Sequence, residues 1–195
     1  MFQKKRSITK KEFKYIFNII ALLIVGLLYF GIRYLPKDNL AAPVKDTSIA
    51  YVTKAIDGDT LKLSTGEHVR LIGIDTPESR YNNKLERDSK RSRKDMEVII
   101  KMGKEAESFT RRLTQNKRLR LEYDLQRYDK YKRLLAYVYL EDGTFVNAKI
   151  IEEGYAQAMT IPPNVKYSDM FFKLQKSAME NGRGLWKENT GKELF

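Results

Sequence analysis

Three short polar clusters carry residue types that can act on a phosphodiester. They are Asp57-Gly58-Asp59-Thr60, Arg70 followed by Asp75-Thr76-Pro77-Glu78, and Asp129-Lys130-Tyr131-Lys132-Arg133. Hydrolysis of an anionic phosphate requires charge to be neutralised as it shifts in the transition state. A hard divalent cation held by carboxylates does part of this. Arginine does the rest, because its planar fork matches two phosphate oxygens and stays protonated. A carboxylate must also orient or deprotonate the attacking water. Asp59 and Asp75 supply ligands, Arg70 and Arg133 supply clamps, and Glu78 supplies a base. Each cluster alone reads as a turn or a solvated face, since Asp and Gly dominate turns. Their co-occurrence, each beside a short strand, is what points to a site.

Other chemistries are excluded by composition. There is no cysteine, hence no thiol nucleophile, disulfide framework or Cys-ligated zinc. His68 is the single histidine and has no triad partners near it in sequence, so it reads as a partly exposed strand residue.

The clusters need short strands to hold them. The segment from Ile49 to Asp75 reads as a β-meander, with Asp57-Gly58 and Thr65-Gly66 as turns. RLRLEYD (118–124) alternates, placing Leu119, Leu121 and Tyr123 on one face and Arg118, Arg120 and Glu122 on the other. LLAYVYL (134–140) is a further strand, followed by a hairpin signal at Asp142-Gly143. Ala106, Phe109 and Leu113 recur at helical spacing. Asn147 is expected to cap a short helix ended by Gly154. A last helix is expected over Ser168–Glu180. Residues 79–104 begin as a polar, basic, exposed loop, and Met96, Ile99 and Ile100 start a helix near its end. The fold class predicted is α+β: an OB-type five-stranded β-barrel with about three helices, preceded by one N-terminal transmembrane helix.

That N-terminal prediction rests on Tyr15–Ile32, a run without charge that spans roughly 27 Å as a helix. Lys4, Lys5, Arg6, Lys10, Lys11 and Lys14 precede it, against one acid, Glu12. This bias places the N-terminus in the cytoplasm and the rest outside, as a single-pass membrane protein. A cleaved signal peptide, giving a secreted domain, is the rival reading. The expected organisation is a basic segment at 1–14, an anchor at 15–33, a Pro-containing linker at 34–47, a catalytic domain at 48–188 and a tail at 189–195. The formal net charge of +12 favours a polyanionic partner without selecting nucleic acid over anionic lipid or wall polymer.

IDGDTLKL, VRLIGIDTPE, DKYKRLLAYVY, VNAKIIEEGYA and GRGLW together resemble the staphylococcal nuclease (thermonuclease-like) family, from about Ile49 to Trp186. The resemblance implies cleavage of DNA and RNA with one calcium ion (Ca2+) on an OB-type barrel of five strands and three helices. It implies Asp59 and Asp75 as calcium ligands, with Thr76 offering its backbone carbonyl. It implies Glu78 beside the attacking water, Arg70 and Arg133 on the scissile phosphate, Lys130 and Tyr131 on a terminal phosphate, and Asp57 near the metal. The implied partners are DNA and/or RNA, with no protein partner, and the chain is expected to be a monomer. A membrane-tethered OB-fold nucleic-acid-binding module with weak or no catalysis is the alternative.

Two departures stand out. Lys132 occupies a position where the family often has Gly, and AMTIPPN (158–164) lacks the tyrosines that flank a bound base, leaving Tyr155 and Tyr167 as substitutes. The loop after Glu78 is long and basic. Arg80, Lys84, Arg87, Lys90, Arg91, Arg93 and Lys94 read either as a phosphate-tracking surface or as a solvated loop.

Overall fold

The computed structural model describes Lys11, residues 47–187 and residues 194–195. The chain divides into two units, Met1–Val44 and Lys45–Phe195, and the second is described below. The apolar run at 15–33 lies outside the described residues. Among the described residues, no helix is long and apolar enough to cross a membrane.

Strands β1 (Thr47–Ala55), β2 (Thr60–Leu63) and β3 (His68–Leu71) form the expected antiparallel meander. Two later strands, β5 (Arg118–Glu122) and β6 (Leu134–Leu140), close it into a barrel of order β1-β2-β3-β6-β5. Only the β3–β6 pairing is parallel. Alternation fills the interior: Leu61, Leu63, Val69, Leu71, Leu119, Leu121, Ala136 and Val138 are all buried there. A two-residue strand β4 (Ile74–Asp75) leaves the barrel and pairs with β7 (Gln157–Ala158), which fixes Asp75 at the barrel edge.

Among the described residues, four α-helices accompany the barrel, where about three were expected: α1 (Asn83–Ser92), α2 (Met96–Thr114), α3 (Val146–Glu152) and α4 (Ser168–Glu180). The additional helix is α1, in the stretch read as an exposed loop. Its sequence carries one apolar residue, Leu85, which is fully buried, so an apolar stripe could not announce it. It is held instead by an Asn82 cap, which accepts from Lys84 N and Leu85 N at 2.9 Å each, and by Lys84–Asp88 and Asp88–Arg91 pairs along one face. Leu85 enters a second apolar cluster with Ile99, Met102, Ala178, Leu185 and Trp186. Leu194 and Phe195, read as tail, are buried in the same cluster.

Two further expectations are corrected. Asn147 does not cap α3; it lies inside the helix, fully buried. Its Oδ1 accepts from Val138 N at 2.9 Å and its amide donates to Ile72 O at 2.9 Å, tying α3 to the barrel wall. Glu122 does not face solvent with Arg118 and Arg120. It is 1% exposed, because Lys166 and Tyr167 cover that end of β5 and bond its carboxylate. The Asp142-Gly143 turn leads to a single bridge, Tyr139 to Phe145, rather than to a second full strand.

Candidate active site

The β1–β2 turn brings the first aspartate inward. A Cβ on Gly58 would lie 2.7 Å from the Thr76 side chain, so glycine permits the turn to press against the β4 segment. Asp57 Oδ1 accepts from Asp59 N at 3.1 Å, and the Thr110 hydroxyl on α2 donates to Gly58 O at 2.7 Å. Asp59 is thereby buried beside Thr76, whose N–H and hydroxyl both donate to Asp59 Oδ2 at 3.1 Å.

Arg70, on β3, joins the two predicted metal ligands. Its Nη1 lies 2.7 Å from Asp59 Oδ2 and its Nη2 lies 2.9 Å from Asp75 Oδ1. Burial alone would raise the pKa of Asp59, but Arg70 and neighbouring donors hold it below the usual carboxylate value. For Asp75 burial prevails, and its pKa is pushed up to about 6 despite Arg70 and Lys84. Burial and then the Asp59 charge push Asp57 up to about 8.

Glu78 is held from two sides. Asn82, the cap of α1, donates its side-chain amide to Glu78 Oε2. Lys84 Nζ lies 3.1 Å from Glu78 Oε1. Behind this loop, Gly103 of α2 allows direct backbone contact, since a Cβ there would lie 2.3 Å from the Glu78 carbonyl oxygen. Burial disfavours the Lys84 ammonium, yet Asp75, Glu78 and Asp88 together hold its pKa above the ordinary lysine value.

Arg133 arrives on the turn before β6. Asp129 organises that turn, accepting from Tyr131 N at 2.8 Å, Arg133 N at 3.0 Å and Arg133 Nε at 2.7 Å. Lys132 takes φ +63°, the left-handed region that favours glycine. The sequence departure is therefore accommodated without losing the turn. Arg133 Nη1 donates to Thr60 Oγ1 at 3.5 Å, and Thr60 donates to Asp59 Oδ1 at 3.1 Å. Thr60 thus links the two halves of the site.

Asp59, Arg70, Asp75, Thr76 and Glu78 are gathered at one barrel edge, and Arg133 joins them through Thr60. Lys130 and Tyr131 lie at the exposed tip of the same turn, with the Arg133 guanidinium over the Tyr131 ring at 5.5 Å. Tyr155 and Tyr167 are engaged elsewhere: Tyr155 stacks on Phe109 at 4.5 Å, and Tyr167 packs against Tyr137 at 4.6 Å and bonds Glu122. His68 is exposed at the start of β3. The basic residues after Glu78 differ in their surroundings. Lys84 turns into the site, while Arg91 and Lys94 bond the backbone of Phe195 and Leu194. Arg80 reaches Ile56 O and Glu107, and Arg87, Lys90 and Arg93 are exposed.

Sequence reasoning missed Asn82, Thr60, Gly103 and the inward course of Lys84. Asn82 had one usable signal, a capping residue type directly before Asn-Lys-Leu-Glu. The others are visible only once the loops are packed.

The donor set suits a hard cation. Asp59 and Asp75 supply carboxylate oxygens, and the Thr76 carbonyl oxygen is turned toward a positive group, Lys84 Nζ, at 3.2 Å. Among the described residues, no three His, Cys, Asp or Glu side chains converge as a metal cluster. A cation held by these two carboxylates would need the backbone carbonyl and solvent to complete an oxygen shell.

A small closed barrel with two aspartates, two arginines and a glutamate gathered at one edge is an OB-type fold carrying a charged polar site. The chain belongs to the staphylococcal nuclease family: residues 68–188 match the staphylococcal nuclease homologue family. It is 38% identical over 178 residues to the thermonuclease of Staphylococcus intermedius, covering 87% of this chain and 94% of that protein. It is 33% identical over 171 residues to the thermonuclease of Staphylococcus hyicus, covering 86% and 93%. It is also 33% identical over 141 residues to the endonuclease YncB of Bacillus subtilis, covering 70% of this chain and 60% of that protein.

Proposed function

We propose that this chain is a calcium-dependent nuclease that hydrolyses phosphodiester bonds of DNA or RNA as a monomer. The observation that carries the reading is the Arg70 guanidinium bridging Asp59 and Asp75 beside Glu78. The family, and the nuclease and thermonuclease names of its relatives, support the same reaction class.

Asp59, Asp75 and the Thr76 carbonyl would hold calcium, which when bound supplies positive charge beside the scissile phosphate. Glu78 takes the proton of the attacking water, its orientation fixed by Asn82. Arg70 and Arg133 neutralise the phosphate oxygens as charge builds on them. Lys130 and Tyr131, at the exposed tip, contact a terminal phosphate. The charge-free run at 15–32 and the basic residues before it support an anchor, with the domain on the outer face of the membrane. Degradation of the domain by protease added to intact cells tests that placement.

One observation favours the alternative of a weakly catalytic binding module: the Lys84 ammonium already sits among the donor oxygens. Incubating labelled single-stranded DNA with the full chain, with calcium and then with a chelator, separates the two. Cleavage that stops on chelation supports the enzyme. Tight DNA binding without cleavage supports the module.

A further inference from the structure

Lys84 sets a positive charge among oxygen atoms given above to calcium and to the base. Its Nζ lies 3.2 Å from Thr76 O, 3.4 Å from Asp75 Oδ2, 3.1 Å from Glu78 Oε1 and 3.1 Å from Asp88 Oδ2. The placement is built into α1. Asn82 fixes the backbone N–H of Lys84, and the Phe195 ring lies 4.9 Å from Nζ. The side chain is 27% exposed, so solvent screens it only partly.

A divalent cation ligated by Asp75 and Thr76 O draws on two of the four oxygens that hold this ammonium. Two cations on one donor pair repel, and the repulsion is strong where solvent is largely excluded. Asp88, already paired with the ammonium, can keep holding it when the metal takes Asp75 and Thr76 O. It is a buried carboxylate one helical turn beyond Lys84, and its Oδ2 is ion-paired with Lys84 Nζ at 3.1 Å. It is not among the predicted metal ligands.

We infer that Lys84 is a built-in competitor of the metal, and that its displacement toward Asp88 sets the calcium affinity of the site. The inference rests on the calcium reading above. Its consequence is a site that requires a higher calcium concentration than its oxygen donors alone would need. Helix α1 is thus the element that tunes metal affinity.

The test is calcium titration calorimetry on the full chain in detergent, with cleavage assayed separately. Lys84→Met is expected to bind calcium at least tenfold more tightly than the unaltered chain. Lys84→Arg, which keeps a cation, is expected to stay within threefold. Lys90→Met, an exposed control on the same helix with the same charge change, is expected to stay within twofold. Melting adds a second readout: Lys84→Met should melt lower than the unaltered chain without calcium and gain more from calcium. Should Lys84→Met fail to fold, Lys84→Gln combined with Asp88→Asn removes the ammonium and its carboxylate together. That double variant is expected to bind calcium at least tenfold more tightly than Asp88→Asn alone. Equal or weaker binding by the Lys84 variants, with the unaltered chain binding calcium, overturns the inference and leaves the calcium reading standing. Absence of binding in every variant overturns both.

Discussion

Asn82 and Glu78 are joined side chain to side chain, and the same Asn82 caps α1. Its carbonyl oxygen serves the helix while its amide serves the proposed base. Asn82→Asp separates these roles, since aspartate caps as well but cannot donate. Stability is expected to fall by up to about 1 kcal/mol, because the cap is kept but a second carboxylate faces Glu78. Cleavage is expected to fall on the order of tenfold, since misplacing a reacting group is costly. Urea denaturation and initial rates check the two parts, and an unchanged rate would remove Asn82 from the account.

Arg70 has a structural part beside its proposed one. It lies between two buried carboxylates, so Arg70→Gln leaves Asp59 without its ion-pair partner and Asp75 with Lys84 alone. A loss of about 3–5 kcal/mol is expected for a broken buried pair. Calcium should restore part of it, because binding to the folded state adds stability. Denaturant midpoints with and without calcium measure this, and an unchanged midpoint would contradict the bridging role.

Much of this framework was legible in the sequence, for a definite reason. Strands β1, β2, β3, β5 and β6 each have one face in the barrel, so period-two alternation marks them. Glu122 broke that pattern because Lys166 and Tyr167, far along the chain, cover its end of the strand. Helix α1 was invisible because a cap and ion pairs hold it, with Leu85 as its only apolar contact with the core. The motif residues were legible as a set, but their tie through Thr60 depends on a 73-residue separation that no local pattern encodes. Lys84 read as a solvent lysine because only tertiary packing shows which way it turns.

Lys132 carries strain that glycine would relieve. At φ +63°, Lys132→Gly is expected to stabilise the domain by about 0.5–1 kcal/mol, the left-handed penalty less the entropy glycine adds to the unfolded chain. The thermal midpoint reports it. A lower midpoint would show that the lysine side chain contributes more than its backbone costs.

Gly103 bears on the site from behind. Gly103→Ala places a methyl group 2.3 Å from the Glu78 carbonyl oxygen, so the loop must shift. Stability should fall by about 1–3 kcal/mol, the usual cost of overpacking. Cleavage should fall as well, and a variant that is destabilised but fully active per folded molecule would separate α2 packing from Glu78 placement.

Asp129 gives a pH dependence of known sign. Burial works against its charge, but hydrogen bonds from the Arg133 backbone and side chain outweigh burial and hold its pKa below 3.8. Because the folded value is the lower one, its contribution is fully present above pH 3.8 and is lost as pH falls through the folded value. Asp129→Asn should therefore cost about 1–2 kcal/mol at pH 7. The difference from the unaltered chain should shrink only in strong acid. A gap that closes between pH 5 and 7 would contradict the assignment.

The most direct test of the account compares binding and cleavage in Glu78→Gln. With calcium present, this variant should bind single-stranded DNA as tightly as the unaltered chain. Its kcat/KM should fall by at least about 100-fold, as expected for loss of a general base. Cleavage at an undiminished rate would show that Glu78 does not perform the chemistry and would break the link between this site and hydrolysis.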